Sequence, residues 1–228
     1  MNKKTAGSMK PLSLKAVTVF TACSVFLAVC LAGNVHGADI NTNARMADIK
    51  SKNPKVRAGA VCELGKHRKT ESRGEMLSAL KAEKDDSVRV QMVHSLGSMG
   101  GRDAAAEISG LAKNDGSKDI RSASCLNLGI LGDKAYVPVL KEVLGNENED
   151  ENVRISAASS LTFFLGEQGV KETLEKIIRG QNTVVKFGLV NSLRHTTKSS
   201  VGKYLLNISV KDPDQDISSL SRELLEVK

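Results

Sequence analysis

The chain has 228 residues, with 33 lysines and arginines against 26 aspartates and glutamates, and it contains no tryptophan. Aromatic residues make up only 3% of the sequence. This composition argues against a protein that binds single-stranded nucleic acid by stacking bases on aromatic side chains.

The first 37 residues differ from the rest of the chain. They contain four lysines, and the run of 17 residues from 16 to 32 carries no charge. Val35 and Gly37 stand where a signal peptidase reads small residues, so the sequence predicts a signal peptide with cleavage before Ala38. Two alternatives stay open: an uncleaved N-terminal anchor, because 17 apolar residues are at the short limit of a membrane span, and lipidation at Cys30.

Removal of this leader leaves 29 basic residues against 26 acidic ones, because the leader holds four of the 33 lysines and arginines and none of the acidic residues. The resulting net charge is too small to predict binding to nucleic acid or to an anionic membrane from charge alone. Two basic clusters, one from Lys66 to Arg73 and one from Arg194 to Lys198, are interpreted as solvated loops.

From residue 38 onward a pattern recurs six times. Its branched aliphatic anchors follow one another at spacings of 32, 32, 33, 32 and 32 residues. Self-similarity at this period is the signature of a solenoid, in which each unit buries its apolar face against its neighbours. We therefore predict that residues 38–228 form an all-α solenoid of six helical hairpins. The anchors are Val56, Val88, Ile120, Val153, Val185 and Ile217.

Each copy encodes a first, less regular helix and a second helix of three to four turns. The first helices are predicted near residues 45–50, 71–82, 103–113, 134–145, 168–180 and 198–209. In the second helix, small or apolar residues at offsets 0, 4, 5 and 8 from the anchor make one stripe at helical period.

The second helices also carry start and stop signals. Three residues before each anchor stands an N-cap former, whose side chain accepts a hydrogen bond from the first turn. These caps are Asn53, Asp85, Ser117, Asp150, Asn182 and Asp214. Glycines at the joins are predicted to end the helices in the left-handed conformation, which is sterically free for glycine. They are Gly65, Gly97, Gly129 and Gly166.

The recurring residues VRxxAxxxLG, preceded by an acid or amide cap, resemble the HEAT-like repeats first described in phycobilisome lyases. The segment AYVPVLKEVLG, followed by an acidic loop and VRISAASSL, is the most similar to that family. The resemblance covers roughly residues 43–228 and implies the fold, but it implies no activity because the repeated residues are structural. Copies five and six depart from the pattern, with Lys186 and Ser218 in place of arginine, and are interpreted as a drifting end and a terminal cap.

A basic residue follows the anchor in the first five copies. In a stack these side chains would form a ladder, each bridging to acceptors at a neighbouring repeat's helix start, such as Asp85 or Asp150. We interpret the ladder as a device that fixes the rotation between repeats, in preference to an anion-binding strip. Its members are Arg57, Arg89, Arg121, Arg154 and Lys186.

Motifs for catalysis or metal binding are missing from the sequence, which contains no HExxH, GxSxG, P-loop or dinucleotide fingerprint. Cys62 and His94 occupy the same offset in adjacent repeats, but two ligands fall short of the four of a structural zinc site. The acidic loop 146–151 lacks the spacing and the glycine of a calcium loop. The sequence therefore predicts no catalytic residue, no metal and no cofactor.

The surface left for a partner is the face of the second helices opposite the stripe, at offsets two, three and six, with offset seven on its margin. It is mostly small and uncharged, and it lacks the large aromatic anchors of tight interfaces. We expect it to bind a protein or peptide in the cell envelope. The candidate contact residues are Gln91, His94, Ser95, Asn127, Ser156, Ser159, Ser160, Asn191 and Ser192.

The sequence thus favours an exported, non-catalytic HEAT-repeat adaptor, periplasmic or secreted. It predicts no nucleic-acid partner, and membrane attachment only through an uncleaved or lipidated N-terminus. An enzyme subunit or chromophore lyase-like protein is the alternative; the export signal, the scarcity of aromatics and the missing catalytic cluster argue against it. A nucleic-acid binder resembling HEAT-like DNA glycosylases would need a basic, aromatic-bearing face and a cytoplasmic location.

Overall fold

The computed structural model describes residues 40–226, so the expectations for the leader lie outside the described residues. Twelve α-helices and four short 3-10 helices form the regular structure of this range, and no strand occurs in it. The α-helices are α1 (Thr42–Asp48), α2 (Pro54–Lys66), α3 (Arg73–Ala82), α4 (Asp86–Met99), α5 (Arg102–Asn114), α6 (Lys118–Leu131), α7 (Val137–Gly145), α8 (Glu151–Leu161), α9 (Val170–Ile178), α10 (Thr183–Ser192), α11 (Ser200–Ser209) and α12 (Gln215–Glu226).

These helices form six hairpins. Each odd-numbered helix, called an A helix, is joined by a loop of three to five residues to the B helix that follows it, and such short loops make the two helices antiparallel neighbours. Successive B helices pack on one another, as do successive A helices from α3 onward. The prediction of an all-α solenoid of six hairpins is confirmed. Between residues 40 and 226 no helix is long and apolar enough to cross a bilayer.

One continuous core of apolar side chains runs between the A and B layers. The anchors from Val88 to Ile217 are at most 1% exposed, which confirms the apolar stripe. Val56 is 40% exposed, because no described repeat precedes the first one. The stripe therefore depends on neighbouring repeats for its burial, as expected of a solenoid.

Five of the six predicted caps hold the starts of their B helices. Asp85, for example, accepts hydrogen bonds from the backbone N–H groups of Ser87 and Val88. Ser117 is the exception, since its side chain makes no capping bond. Its own backbone N–H instead donates to Asp115 Oδ1 at 2.9 Å. The other side chains that cap are Asn53, Asp150, Asn182 and Asp214.

The glycine stops were predicted at the wrong positions. Gly65, Gly97 and Gly129 lie inside α2, α4 and α6, and they and Gly166 do not adopt positive φ. Positive φ occurs instead at Gly100, Gly101, Gly132 and Gly169 and at Arg68, and of these glycines Gly132 and Gly169 adopt the left-handed helical conformation. The helices thus continue past the recurring glycines.

The recurring glycines Gly65, Gly97 and Gly129 are needed for close packing between repeats. A Cβ atom on any of the three would overlap a polar side chain of the next B helix. Two of those side chains, Ser95 and Ser160, donate hydrogen bonds of 2.9 Å to the carbonyl groups of Val61 and Cys125 in the preceding B helix. We call these contacts the glycine seam. Its pairs are Gly65 with Ser95, Gly97 with Asn127, and Gly129 with Ser160.

The seam predicts opposite effects of the same substitution at two helical glycines. Gly97→Ala should lower the free energy of unfolding by about 2 kcal/mol, because the new methyl group overlaps Asn127. Gly110→Ala in α5 has open space around the new methyl group and should raise the free energy of unfolding by about 0.5–1 kcal/mol through helix propensity. Urea denaturation followed by circular dichroism measures both. Equal shifts in the two variants would contradict the seam.

Candidate functional site

The candidate site is the exposed side of the B helices, which we call the B face. It is formed by the half-buried or exposed side chains at offsets two, three and six from the anchors. In the first five repeats none of these residues is charged. They are Ala58, Gly59, Cys62, Val90, Gln91, His94, Ser122, Leu126, Ile155, Ser159, Phe187 and Asn191.

Four of the nine predicted contact residues are buried in the described chain, and this part of the prediction is corrected. Ser95, Asn127 and Ser160 are at most 3% exposed because they form the glycine seam. Ser156 is 5% exposed, and its hydroxyl pairs with that of Ser122 at 2.7 Å. These four side chains hold B helices together and are not available to a partner.

The other five predicted residues are half-buried and reach the surface. Gln91, His94 and Asn191 lie on the B face itself. Ser159 and Ser192 face each other from adjacent repeats, with their hydroxyl oxygens 2.5 Å apart. Binding of a partner by these five side chains stays a prediction.

Apolar side chains of the B face were missed by the sequence analysis. Val90, Ile155 and Phe187 all occupy offset two, in the second, fourth and fifth repeats, and each is half-buried. They pack against the core from its surface side. Their shared offset could have identified them. The sequence analysis placed offset two on this face but chose none of the residues at that offset as contact residues.

His94 is the one titratable histidine of the B face. Its Nδ1 atom accepts a hydrogen bond from Asn127 Nδ2 at 2.9 Å, in the tautomer that leaves Nδ1 unprotonated. Burial lowers the pKa of His94 to about 4, because desolvation disfavours the charged imidazolium. His94 is therefore neutral at physiological pH, and the B face keeps its uncharged character there.

The A layer has the opposite character, because ion pairs join its successive helices. Lys113 Nζ lies 2.8 Å from Glu142 Oε2, between α5 and α7. Arg73 and Lys81 of α3 are paired in the same way with Asp103 and Glu107 of α5. Charge is thus concentrated away from the B face.

The basic ladder lies at the loops between A and B helices. Arg121 donates to both carboxylate oxygens of Glu149, at 2.8 and 2.7 Å, and to the carbonyl of Asp115 in its own loop at 2.8 Å. Each ladder carboxylate belongs to the A–B loop of the next repeat. The other pairs are Arg57 with Glu83, Arg89 with Asp115, and Lys186 with Asp212.

The prediction that Asp85 and Asp150 accept from the ladder is therefore wrong. The carboxylates that do accept stand one or two residues before the caps, and they also accept backbone N–H groups of their own loops. Glu83, for example, accepts a hydrogen bond from the backbone N–H of Asp85 at 2.9 Å. The hydrogen bonds from the arginines lower the pKa of Glu83 and of Glu149. Each rung fixes the loop of one repeat to the B helix before it.

The ladder has one gap. Repeat five has Gly180 and Gln181 where repeats two, three, four and six carry the carboxylate. Arg154 is only 7% exposed, and its Nε atom donates to the carbonyl of Leu144 at 3.1 Å. The joint between repeats four and five therefore has no carboxylate rung.

No group of three or more histidine, cysteine, aspartate or glutamate side chains within the described range is placed to hold a metal ion. Cys62 and His94, which share one offset in adjacent repeats, thus belong to no such group within residues 40–226. The described geometry offers binding surfaces and no assembled metal centre in that range.

A family model of HEAT repeats matches the chain over residues 44–129 and 108–194. The chain belongs to the HEAT-repeat family. This confirms the resemblance drawn from the VRxxAxxxLG pattern and makes the protein a helical-repeat scaffold in architecture. No curated protein matches the chain in sequence.

Three solved structures are similar to this HEAT-repeat chain. A chain of the complex of CpcE and CpcF of phycocyanin lyase from Nostoc sp. PCC7120 is 17% identical, with a TM-score of 0.46; 85% of this chain and 96% of that chain are covered. A designed armadillo repeat protein is 12% identical, with a TM-score of 0.45 over 82% and 99% of the two chains. Human deoxyhypusine hydroxylase in complex with glycerol is 11% identical, with a TM-score of 0.39 over 91% and 89%.

The ladder predicts a measurable coupling between Arg121 and Glu149. A double-mutant cycle with Arg121→Met and Glu149→Gln should give a coupling energy of about 1–2 kcal/mol, because both side chains are largely shielded from solvent. The same cycle on the more exposed pair Lys113 and Glu142 should give less than about 0.5 kcal/mol. Urea denaturation of the parent and the six variants measures both couplings, and equal couplings would rule out a special role for the ladder.

The lowered pKa of His94 predicts a pH dependence of stability. An unfolded histidine binds its proton near pH 6.5, whereas folded His94 does so only near pH 4. Between these values the unfolded chain binds more protons, so the free energy of unfolding should fall as the pH is lowered from about 6.5 toward 4. His94→Gln should flatten this slope, and His195→Gln, at an exposed position, serves as the control. Parallel slopes in the parent and His94→Gln would exclude this role.

Proposed function

We propose that this chain is an exported, non-catalytic HEAT-repeat adaptor, and that its B face binds an extended, uncharged segment of a protein in the cell envelope. The observation that carries the proposal is the absence of charged residues at offsets two, three and six through five successive repeats. The predicted signal peptide is the support for export.

An uncharged surface favours this kind of partner for an energetic reason. Burying a charge without a partner costs much more than burying an uncharged polar or apolar group. Half-buried apolar side chains such as Val90, Ile155 and Phe187 gain from being covered, and neighbours such as Gln91 and Asn191 can exchange hydrogen bonds with a peptide backbone. The B face thus suits a segment that brings no charge of its own.

The spacing of the repeats favours an extended segment. Packed helices lie about 8–10 Å apart, so equivalent side chains of successive B helices are separated by a similar distance. An extended peptide advances about 3.3 Å per residue. Every third residue of such a peptide would therefore meet the same offset in the next repeat.

Isosteric charges on the B face provide the test. Gln91→Glu together with Asn191→Asp adds two carboxylates without changing the volume of either side chain. Asn43→Asp together with Asn207→Asp makes the same change at exposed positions of α1 and α11. Proximity labelling in intact cells, with a tag at the C-terminus of the full chain, should recover one or two envelope proteins with the parent and the control.

The B-face variant should lose those proteins by at least about tenfold, since two desolvated charges oppose binding. Thermal denaturation establishes that all three proteins are folded. Recovery of the same proteins at the same level from both variants would exclude the B face as the binding surface. Retention of the protein in the cytoplasmic fraction would exclude the exported adaptor.

A further inference from the structure

The loops that lead from each B helix to the next A helix lie along one edge of the solenoid, because antiparallel hairpins bring B-helix ends and A-helix starts together. The described chain also begins there: the hydroxyl of Thr42 lies 3.5 Å from a carboxylate oxygen of Glu71 in the first of these loops. We call this the basic edge. We define its segments as these loops together with the last residue of the helix before each loop and the first residue of the helix after it. They are 66–73, 99–102, 131–137, 161–170 and 192–200.

Charge is divided unequally between this edge and the opposite one. The basic edge holds eight lysines and arginines against three acidic residues. The loops of the opposite edge, counted in the same way, hold eleven acidic residues against six basic ones. The net charge of the repeat domain is therefore close to zero because its two edges carry opposite net charges. The basic residues are Lys66, Arg68, Lys69, Arg73, Arg102, Lys134, Arg194 and Lys198.

Two exposed apolar side chains stand at the centre of the basic edge. Ile130 and Phe163 occupy the same offset at the ends of the B helices of repeats three and four, and they are 45% and 61% exposed. The basic clusters lie to either side, in the loops after the first and the fifth repeats. The edge thus combines an apolar centre with basic flanks.

Arg68 in the first basic cluster is held in an unfavourable backbone conformation. Its φ is 47°, and it is the only residue other than glycine with positive φ among residues 40–226. The equivalent positions of the next two repeats are Gly100 and Gly132, each with φ of 69°. A residue with a side chain is disfavoured in this conformation relative to glycine. Retaining an arginine there points to a use for its charge.

We propose that the basic edge docks on an anionic lipid bilayer, with Phe163 and Ile130 entering the headgroup region and the flanking basic clusters facing anionic lipids. Arg73 contributes less than the others, because it is paired with Asp103. Each basic residue near such a surface adds to the electrostatic attraction, and stable attachment needs a second signal beside charge. The apolar pair supplies that second signal. Nucleic acid would also attract the basic residues, but it offers no apolar layer for Phe163 and Ile130.

The sequence before the described residues is compatible with this orientation in either of its predicted forms. Only seven residues, 33–39, separate the charge-free run from Ile40, a reach of at most about 25 Å. A retained anchor would therefore keep the basic edge close to the bilayer. Cleavage before Ala38 would instead leave a positively charged amino group two residues before Ile40. Docking by this edge is independent of the proposed use of the B face.

The absence of native tryptophan makes a direct test possible. Phe163→Trp introduces one tryptophan at the basic edge, and Val184→Trp introduces one at the opposite edge, where Val184 is 43% exposed. The full chain is mixed with vesicles of phosphatidylcholine containing phosphatidylglycerol as about one third of the lipid, with brominated acyl chains as quenchers. Emission from Phe163→Trp should shift to the blue and be quenched, and emission from Val184→Trp should do neither.

A charge variant tests the basic flanks. Arg68→Gly, Arg194→Gln and Lys198→Gln are combined with Phe163→Trp, and the vesicle concentration for half-maximal quenching should rise by about tenfold to a hundredfold. The melting temperature should not fall because of Arg68→Gly, since glycine adopts this φ without strain. The loss of binding is then not a loss of folding.

Several outcomes would overturn the proposal. Equal quenching of the tryptophans at both edges would show that a leader in the bilayer, and not the basic edge, brings the chain to vesicles. Equal quenching by vesicles of phosphatidylcholine alone would exclude recognition of anionic lipid. A shift of emission with duplex DNA or RNA and none with vesicles would assign the edge to nucleic acid.

Discussion

The close approach of successive B helices is the contact on which the rest of this solenoid depends. At the glycine seam a glycine of one B helix meets a polar side chain of the next, which leaves no room for a Cβ atom. The hydroxyl groups of Ser95 and Ser160 then bond to carbonyl groups across the same joint. A hydrogen bond of this kind has a fixed direction, so the seam sets the register between repeats as well as their distance.

The seam and the ladder join the same two repeats at opposite ends of their B helices. The seam holds the B helices near their C-terminal ends, and the ladder ties each A–B loop to the preceding repeat at the other edge. Where the ladder lacks its carboxylate, next to Arg154, the joint still has the hydroxyl pair of Ser159 and Ser192. Repeats four and five are therefore held by helix packing and by polar contacts, among them the 2.8 Å hydrogen bond from Asn182 to Glu151, without a salt bridge in the ladder.

The sequence predicts well the features that recur within each repeat, such as helix starts and buried anchors. It predicts poorly the features that depend on contact with the neighbouring repeat. Helix starts such as Asp85 and buried anchors such as Val88 follow from local spacing alone. The role of Gly97 does not, because a glycine near a helix end resembles a left-handed stop until the position of Asn127 is known. Ser95 and Ser160 were selected as surface residues for the same reason: a small polar side chain at the margin of a helix face is exposed only if the next helix is distant.

The same limit applies to charge, and it explains why the repeat domain has more than one candidate surface. A sum over the sequence treats Arg68 and Glu149 as cancelling, although the hairpin topology puts them on opposite edges. The ladder holds its carboxylates at the edge opposite the basic edge, the B face is uncharged in the first five repeats, and the basic edge has an excess of lysine and arginine. Two surfaces of different chemistry then lie on different sides of each repeat. A partner on the B face would leave the edge loops accessible, so the two proposed uses of the repeat domain do not exclude each other.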